Sequence, residues 1–93
     1  MVYKIKQYTL DQARRLGLQV APSKNPKHKI DVYDKFGNFL ASVGAQNYMD
    51  FPSYLEKDGY EIAMKRRKLY KIRHERDRHI LGSKGWLADN LLW

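Results

Sequence analysis

Apolar and polar positions along this 93-residue chain change period several times, and each change predicts an element. Val2 to Gln7 alternates, with Tyr3 and Ile5 on one side and Val2, Lys4 and Lys6 on the other; a short edge strand is expected. Thr9-Leu10-Asp11-Gln12 has the form of a capping box, with Thr9 as N-cap. Leu10, Ala13 and Leu16 then make a short helical face that Gly17 stops. Leu18 to Ala21 can start a strand, and Pro22 to His28 reads as a loop from its Pro, Ser and Asn content. Ile30 to Tyr33 and Phe39 to Val43 alternate as the two arms of a hairpin. Asp34 to Asn38 is its turn, and Gly37 supplies the positive φ that such turns need. Asp50 is a good N-cap and Pro52 suits a first turn, so a helix with Phe51, Tyr54 and Leu55 on its buried side should run to Gly59. Ser83 can cap a last helical segment, Trp86 to Trp93.

Between these lies Tyr60 to Leu81, a stretch without Gly or Pro that predicts one long helix. Eight of the fourteen residues from Lys65 to Arg78 are Lys or Arg. On a helical wheel Ile62, Ala63, Leu69 and Tyr70 share a side, with Arg66, Arg73 and Asp77 in its middle. Arg67, Lys68, Lys71, Glu75 and Arg78 fall opposite. An Arg on a core-facing side needs a partner, because an uncompensated buried charge is very costly. Arg73 and Asp77, four residues apart, are therefore expected to form a structural ion pair. The opposite stripe is either a solvated face or an electrostatic footprint for nucleic acid or another acidic surface; Lys65, Arg67, Lys68, Lys71 and Arg78 are its candidate binding residues.

Length and composition narrow the class. Ninety-three residues suggest a single domain spanning 1–93 with a modest core. The absence of cysteine excludes disulfides, thiolate metal sites and thiol nucleophiles. The formal net charge is +8, from nine basic and six acidic residues in 1–59 and nine basic and four acidic in 60–93, so the excess concentrates in the second part. No apolar run approaches the roughly 20 residues that span a bilayer, and the N-terminus carries no apolar signal core; a soluble, non-secreted protein without a membrane partner is expected. The end, WLADNLLW, is too apolar for a loose tail. Tyr70, Trp86, Leu92 and Trp93 are expected either in the core, with the segment folded back on its own chain, or at an interface with a partner.

No catalytic constellation emerges. There is no P-loop, no G-x-G-x-x-G and no H-E-x-x-H. His74 and His79 are five apart, not at the i,i+4 spacing that aims two helix ligands the same way. Glu75 and Asp77 point to different sides of the wheel, which argues against paired-carboxylate catalysis. A histidine–aspartate nuclease site gathered from distant residues, such as His28, Asp31 and His74, is an enzymatic arrangement left open. No cofactor and no metal are expected.

The run Arg66-Arg67-x-x-Tyr70-x-x-Arg73-His74, followed by Gly82-Ser83-x-Gly85-x-x-Ala88-Asp89-x-x-Leu92-Trp93, resembles a family of small uncharacterised proteins encoded by large DNA viruses of eukaryotes, such as chlorella viruses and mimivirus relatives. Asp50-Phe51-Pro52-Ser53-Tyr54-Leu55 and Ile30-Asp31-Val32 look like that family too, so the resemblance covers the chain from about Leu16 onward. It carries over no activity. It implies a viral setting, in the particle or the interior of the infected cell, with viral structural proteins as partners. The expectation is an α+β fold in which a small antiparallel hairpin or sheet packs on a long basic helix, with a short Trp-containing terminal helix. Its function would be non-enzymatic: a minor virion or capsid-associated protein bridging others through Arg66, Arg67, Tyr70, Trp86 and Trp93. The alternative is sequence-nonspecific nucleic-acid binding by the basic face of residues 60–81.

Overall fold

Ala13 and Thr9, four residues apart, give the first helix its buried side. The structure, a computed structural model, describes residues 3–93 and places this helix, α1, at Gln7–Leu16. It begins before the expected Thr9 cap. Lys6, in extended backbone, is the N-cap and makes no side-chain capping bond; its carbonyl accepts the N–H groups of Thr9 and Leu10. The strand expected over Val2 to Gln7 is not formed at residues 3–7: residues 3–6 join no ladder and Gln7 is helical, while Val2 lies outside the described residues. Alternation over so short a stretch cannot make a strand without a partner edge, and Lys6 serves the helix instead. Gly17, at φ 71°, ends the helix as expected.

Three strands follow, β1 (Gln19–Pro22), β2 (His28–Tyr33) and β3 (Phe39–Ala45), as an antiparallel meander in the order β1-β2-β3. Ile30 pairs with Pro22 and Val43, and Val32 with Val20 and Ala41, so these residues share one face. Ile30, Val32, Ala41 and Val43 are buried there. On the other face of β2, Lys29 and Asp31 are buried as well. The register slips after Val32: Tyr33 pairs with Phe39, which leaves Leu40 as the extra residue of a bulge. Asp34 closes the turn by accepting the N–H groups of Phe36 and Asn38, each at 2.9 Å, and the Asn38 side-chain amide at 3.0 Å. These bonds, led by the one from the Asn38 backbone, hold the Asp34 carboxyl below its ordinary pKa.

The chain forms two compact units, the first ending at Tyr48 and the second running from Met49 to Trp93. In the second, α2 (Phe51–Asp58) starts where expected, with the Asp50 carboxylate accepting the Ser53 N–H at 3.0 Å. Gly59, at φ 87° and ψ 174°, is the only residue between α2 and α3 (Tyr60–Arg73), and a side chain is strained in that backbone region. A further helix, α4 (Lys84–Leu92), is capped by Ser83, whose Oγ accepts the Trp86 N–H at 3.2 Å. Among the described residues the class is α+β, with four helices and a three-stranded antiparallel sheet.

The long helix is a correction. Instead of reaching Leu81, α3 ends at Arg73 after 14 residues, and residues 74–83 form successive turns. Nothing local stops it before Gly82, so the stop is tertiary. The first turn of α4 lies against Asp77: a Cβ on Gly85 would come within 2.8 Å of the Asp77 Cβ and 2.9 Å of its carbonyl oxygen. Arg78 also points to Asp89 of α4, at 3.8 Å.

Candidate functional site

The third helix has two faces, and neither is the one its wheel predicts. Ala63 and Tyr70 are buried as expected, but Met64, Arg67 and Lys71 are the half-buried residues beside them. Ile62 and Leu69, expected in the core, face solvent with Arg66 and Arg73. The inward arc is rotated from the expected one: it runs from Tyr70 and Ala63 past Arg67 to Lys71 and Met64.

The inward face is organised around the last residue. Trp93 stacks on Tyr70 with ring centroids 4.3 Å apart and planes 7° from parallel. Tyr70 stacks in turn on His74 at 4.3 Å, and Tyr54 of α2 lies 6.2 Å from Trp93. Leu87, Leu91 and Leu92 are buried on the same terminal helix, and Trp86 is half-buried. The WLADNLLW segment thus packs against its own chain. Burial pushes the Tyr70 phenol up to about 12, the negative charges of Asp89 and Asp77 add to the rise, and Arg73 opposes it. Two arginines of α3 lie over rings of α2: Arg66 is 5.5 Å from the Tyr54 centroid and Arg67 is 5.1 Å from that of Phe51. The Arg67 Nε is buried without a hydrogen-bond partner.

Asp89 is the acid that matters in this unit, and the wheel of residues 60–81 did not contain it. It is buried on α4, and its carboxylate accepts from Lys71 Nζ at 2.7 Å. Arg78 turns toward it and also makes a two-nitrogen contact with Glu75, whose carboxylate accepts from Nε at 3.1 Å and from Nη2 at 2.8 Å. Glu75 meets His79 at 2.7 Å too, and its carboxyl is held below the ordinary range by His79 first and Arg78 second. The expected pair of Arg73 with Asp77 is not formed: both residues are exposed, and no ion pair joins them among the described residues. With the helix broken after Arg73, their i,i+4 relation on one helical face is lost.

The five cations expected to form one binding stripe are therefore split. Lys71 and Arg78 are held by acids, Arg67 lies over Phe51, and only Lys65 and Lys68 are exposed. Arg66 and Arg73 join these two on the outward surface. Between them runs an exposed aliphatic seam: Ile62, Leu69 and Ile72 are 40%, 52% and 63% accessible. They are spaced seven and three residues apart, the spacing of a helical stripe.

Asp31, one member of the enzymatic arrangement left open, is bound within its own unit. Its carboxylate accepts from the Ser23 hydroxyl at 2.6 Å, the Ser42 hydroxyl at 2.5 Å and the Lys24 N–H at 3.3 Å. Burial alone would raise this carboxyl, but these bonds and the nearby His28 outweigh it and hold its pKa below the ordinary value. His74 is occupied in the Tyr70 stack. Among the described residues no group of three His, Asp or Glu side chains is placed to hold a metal ion. No described helix is long and apolar enough to cross a membrane.

Comparison with known proteins finds no matching family, no matching curated protein and no matching solved structure.

Proposed function

We propose that this protein is a non-enzymatic bridging component that binds other proteins through the outward face of α3. In the viral setting that its sequence suggests, it is a minor component of the particle, or of the infected cell that builds it. The observation that carries the reading is the aliphatic seam Ile62, Leu69 and Ile72, exposed on a helix whose opposite face is anchored by the Trp93–Tyr70 stack. Exposed aliphatic side chains aligned along one helix face favour a protein partner over solvent.

The alternative, nucleic-acid binding without sequence preference, keeps only Lys65 and Lys68 of its five expected phosphate contacts and gains the exposed Arg66 and Arg73. It loses Lys71 and Arg78 to acids of the same chain. Its seam residues are also aliphatic, so they offer bases no stacking platform.

Titration with mixed-sequence duplex DNA over a range of salt concentrations separates the two. The bridging reading expects binding too weak to measure at about 0.15 M salt. Tight binding with a steep log–log salt slope, abolished by Lys65→Glu with Lys68→Glu, would give the function to nucleic acid instead. In the encoding virus, mass spectrometry of purified, nuclease-treated particles should find the protein, and particles carrying Leu69→Asp should have lost it.

A further inference from the structure

We infer that the outward face of α3 docks an acidic amphipathic helix of a partner protein. The inference rests on α3 being a protein-binding surface and specifies the chemistry of what binds. Ile62, Lys65, Leu69 and Ile72 follow the three-and-four spacing of a coiled-coil seam. The eleven residues from Ile62 to Ile72 carry that seam about 15 Å along the helix axis, the length over which two helices pack side by side. Arg66 and Arg73 lie along one flank and Lys68 along the other; all three are exposed, as is Lys65 within the seam. Lys65, Lys68 and Arg73 have no acid partner among the described residues. The one acid on α3 is Glu61, against four exposed cations, Lys65, Arg66, Lys68 and Arg73.

That pattern selects one occupant. A second copy of the chain would set like charges against each other: an antiparallel pairing about the middle of the seam brings Arg66 opposite Lys68, and a parallel one sets each cation beside itself. A lipid surface needs a broad apolar face, whereas this strip is about one side chain wide and three aliphatics long, with Lys65 in its line. A partner helix with Leu or Ile along its own seam and Glu at the flanks covers the aliphatics and gives Lys65, Lys68 and Arg73 carboxylates to meet. Such a contact also steers encounter through the chain's positive charge.

The test uses the full chain and a 21-residue synthetic helix with Leu at the seam positions and Glu along both flanks, followed by fluorescence anisotropy. A second peptide with Lys in place of each Glu serves as its counterpart. The acidic peptide should bind, and raising the salt should weaken it. Leu69→Ser and Ile72→Ser should each reduce affinity about tenfold or more, with the near-ultraviolet circular dichroism of the Trp93–Tyr70 stack unchanged. Lys65→Glu with Lys68→Glu should reverse the preference toward the basic peptide. Binding of the basic peptide by the native chain, lost in Leu69→Ser, would overturn the acidic partner while leaving α3 a protein-binding surface. Binding of neither peptide, with Leu69-dependent attachment to vesicles of three parts phosphatidylcholine and one part phosphatidylserine, or Leu69-dependent dimerisation in light scattering, would overturn the proposal. Binding of neither peptide together with salt-sensitive DNA binding would remove the protein-binding reading as well.

Discussion

At the scale of single residues, the sharpest contrast is between Arg73 and Lys71. Both sit near the end of α3 and both looked like candidates for structural or binding roles. Arg73 is exposed, while Lys71 is partly buried and bonded to the buried Asp89 at 2.7 Å. Arg73→Met should therefore change stability by less than about 0.5 kcal/mol, as surface substitutions usually do. Lys71→Met should cost about 1–3 kcal/mol in urea denaturation, because it leaves a buried carboxylate with only the longer contact to Arg78. Equal effects of the two substitutions would refute the assignment. Which cation meets the acid was not legible along 60–81, since Asp89 lies 18 residues beyond Lys71 and reaches it only through the fold.

At the scale of elements, local signals worked where a side chain or a glycine fixes the backbone by itself, except at Thr9, whose capping box is not used. Asp50 and Ser83 cap the helices that follow them, Gly17 and Gly59 end those before them, and Asp34 with Gly37 builds the hairpin turn. The signals failed where an element needs a partner. Residues 3–6 found no strand to pair with, and α3 lost its last two turns to the approach of α4. Gly85 is the place to test the second point. Gly85→Ala puts a methyl group 2.8 Å from Asp77 Cβ and should cost about 1–3 kcal/mol, although alanine is the better helix former. A gain in thermal stability would show that residues 74–83 do not hold this path.

At the scale of the whole molecule, charge sets the response to pH. The chain carries eighteen Lys and Arg residues against ten Asp and Glu. Asp31, Asp34 and Glu75 all have carboxyls held below their ordinary pKa in the folded state. Each contributes stability that is present in full above the ordinary carboxylate range, about pH 4, and is lost as the pH falls through the lowered folded value. Protonation also removes the acids that balance the excess positive charge. Chemical denaturation should therefore give a stability that falls steadily below about pH 4. Replacing both Ser23 and Ser42 with Ala should lower stability at pH 7, and the gap from the native protein should close as Asp31 becomes protonated. A gap that stays constant down to the acid limit would show that the two hydroxyls do not act through the Asp31 charge.

The sequence by itself determined the α+β class, the hairpin, the Asp50 and Ser83 caps and the apolar character of the terminal helix, because those depend on backbone preferences and on periodicities of a few residues. It also placed the excess of positive charge in residues 60–93. Only the tertiary structure decided which side of α3 is inside, because Tyr70 and Ala63 pack inward while Ile62 and Leu69, just as apolar, do not. That choice comes from Trp93, which stacks on Tyr70, and from Asp89, which draws Lys71 inward. Both lie far along the chain from the helix they orient, and a wheel drawn on that helix alone contains neither.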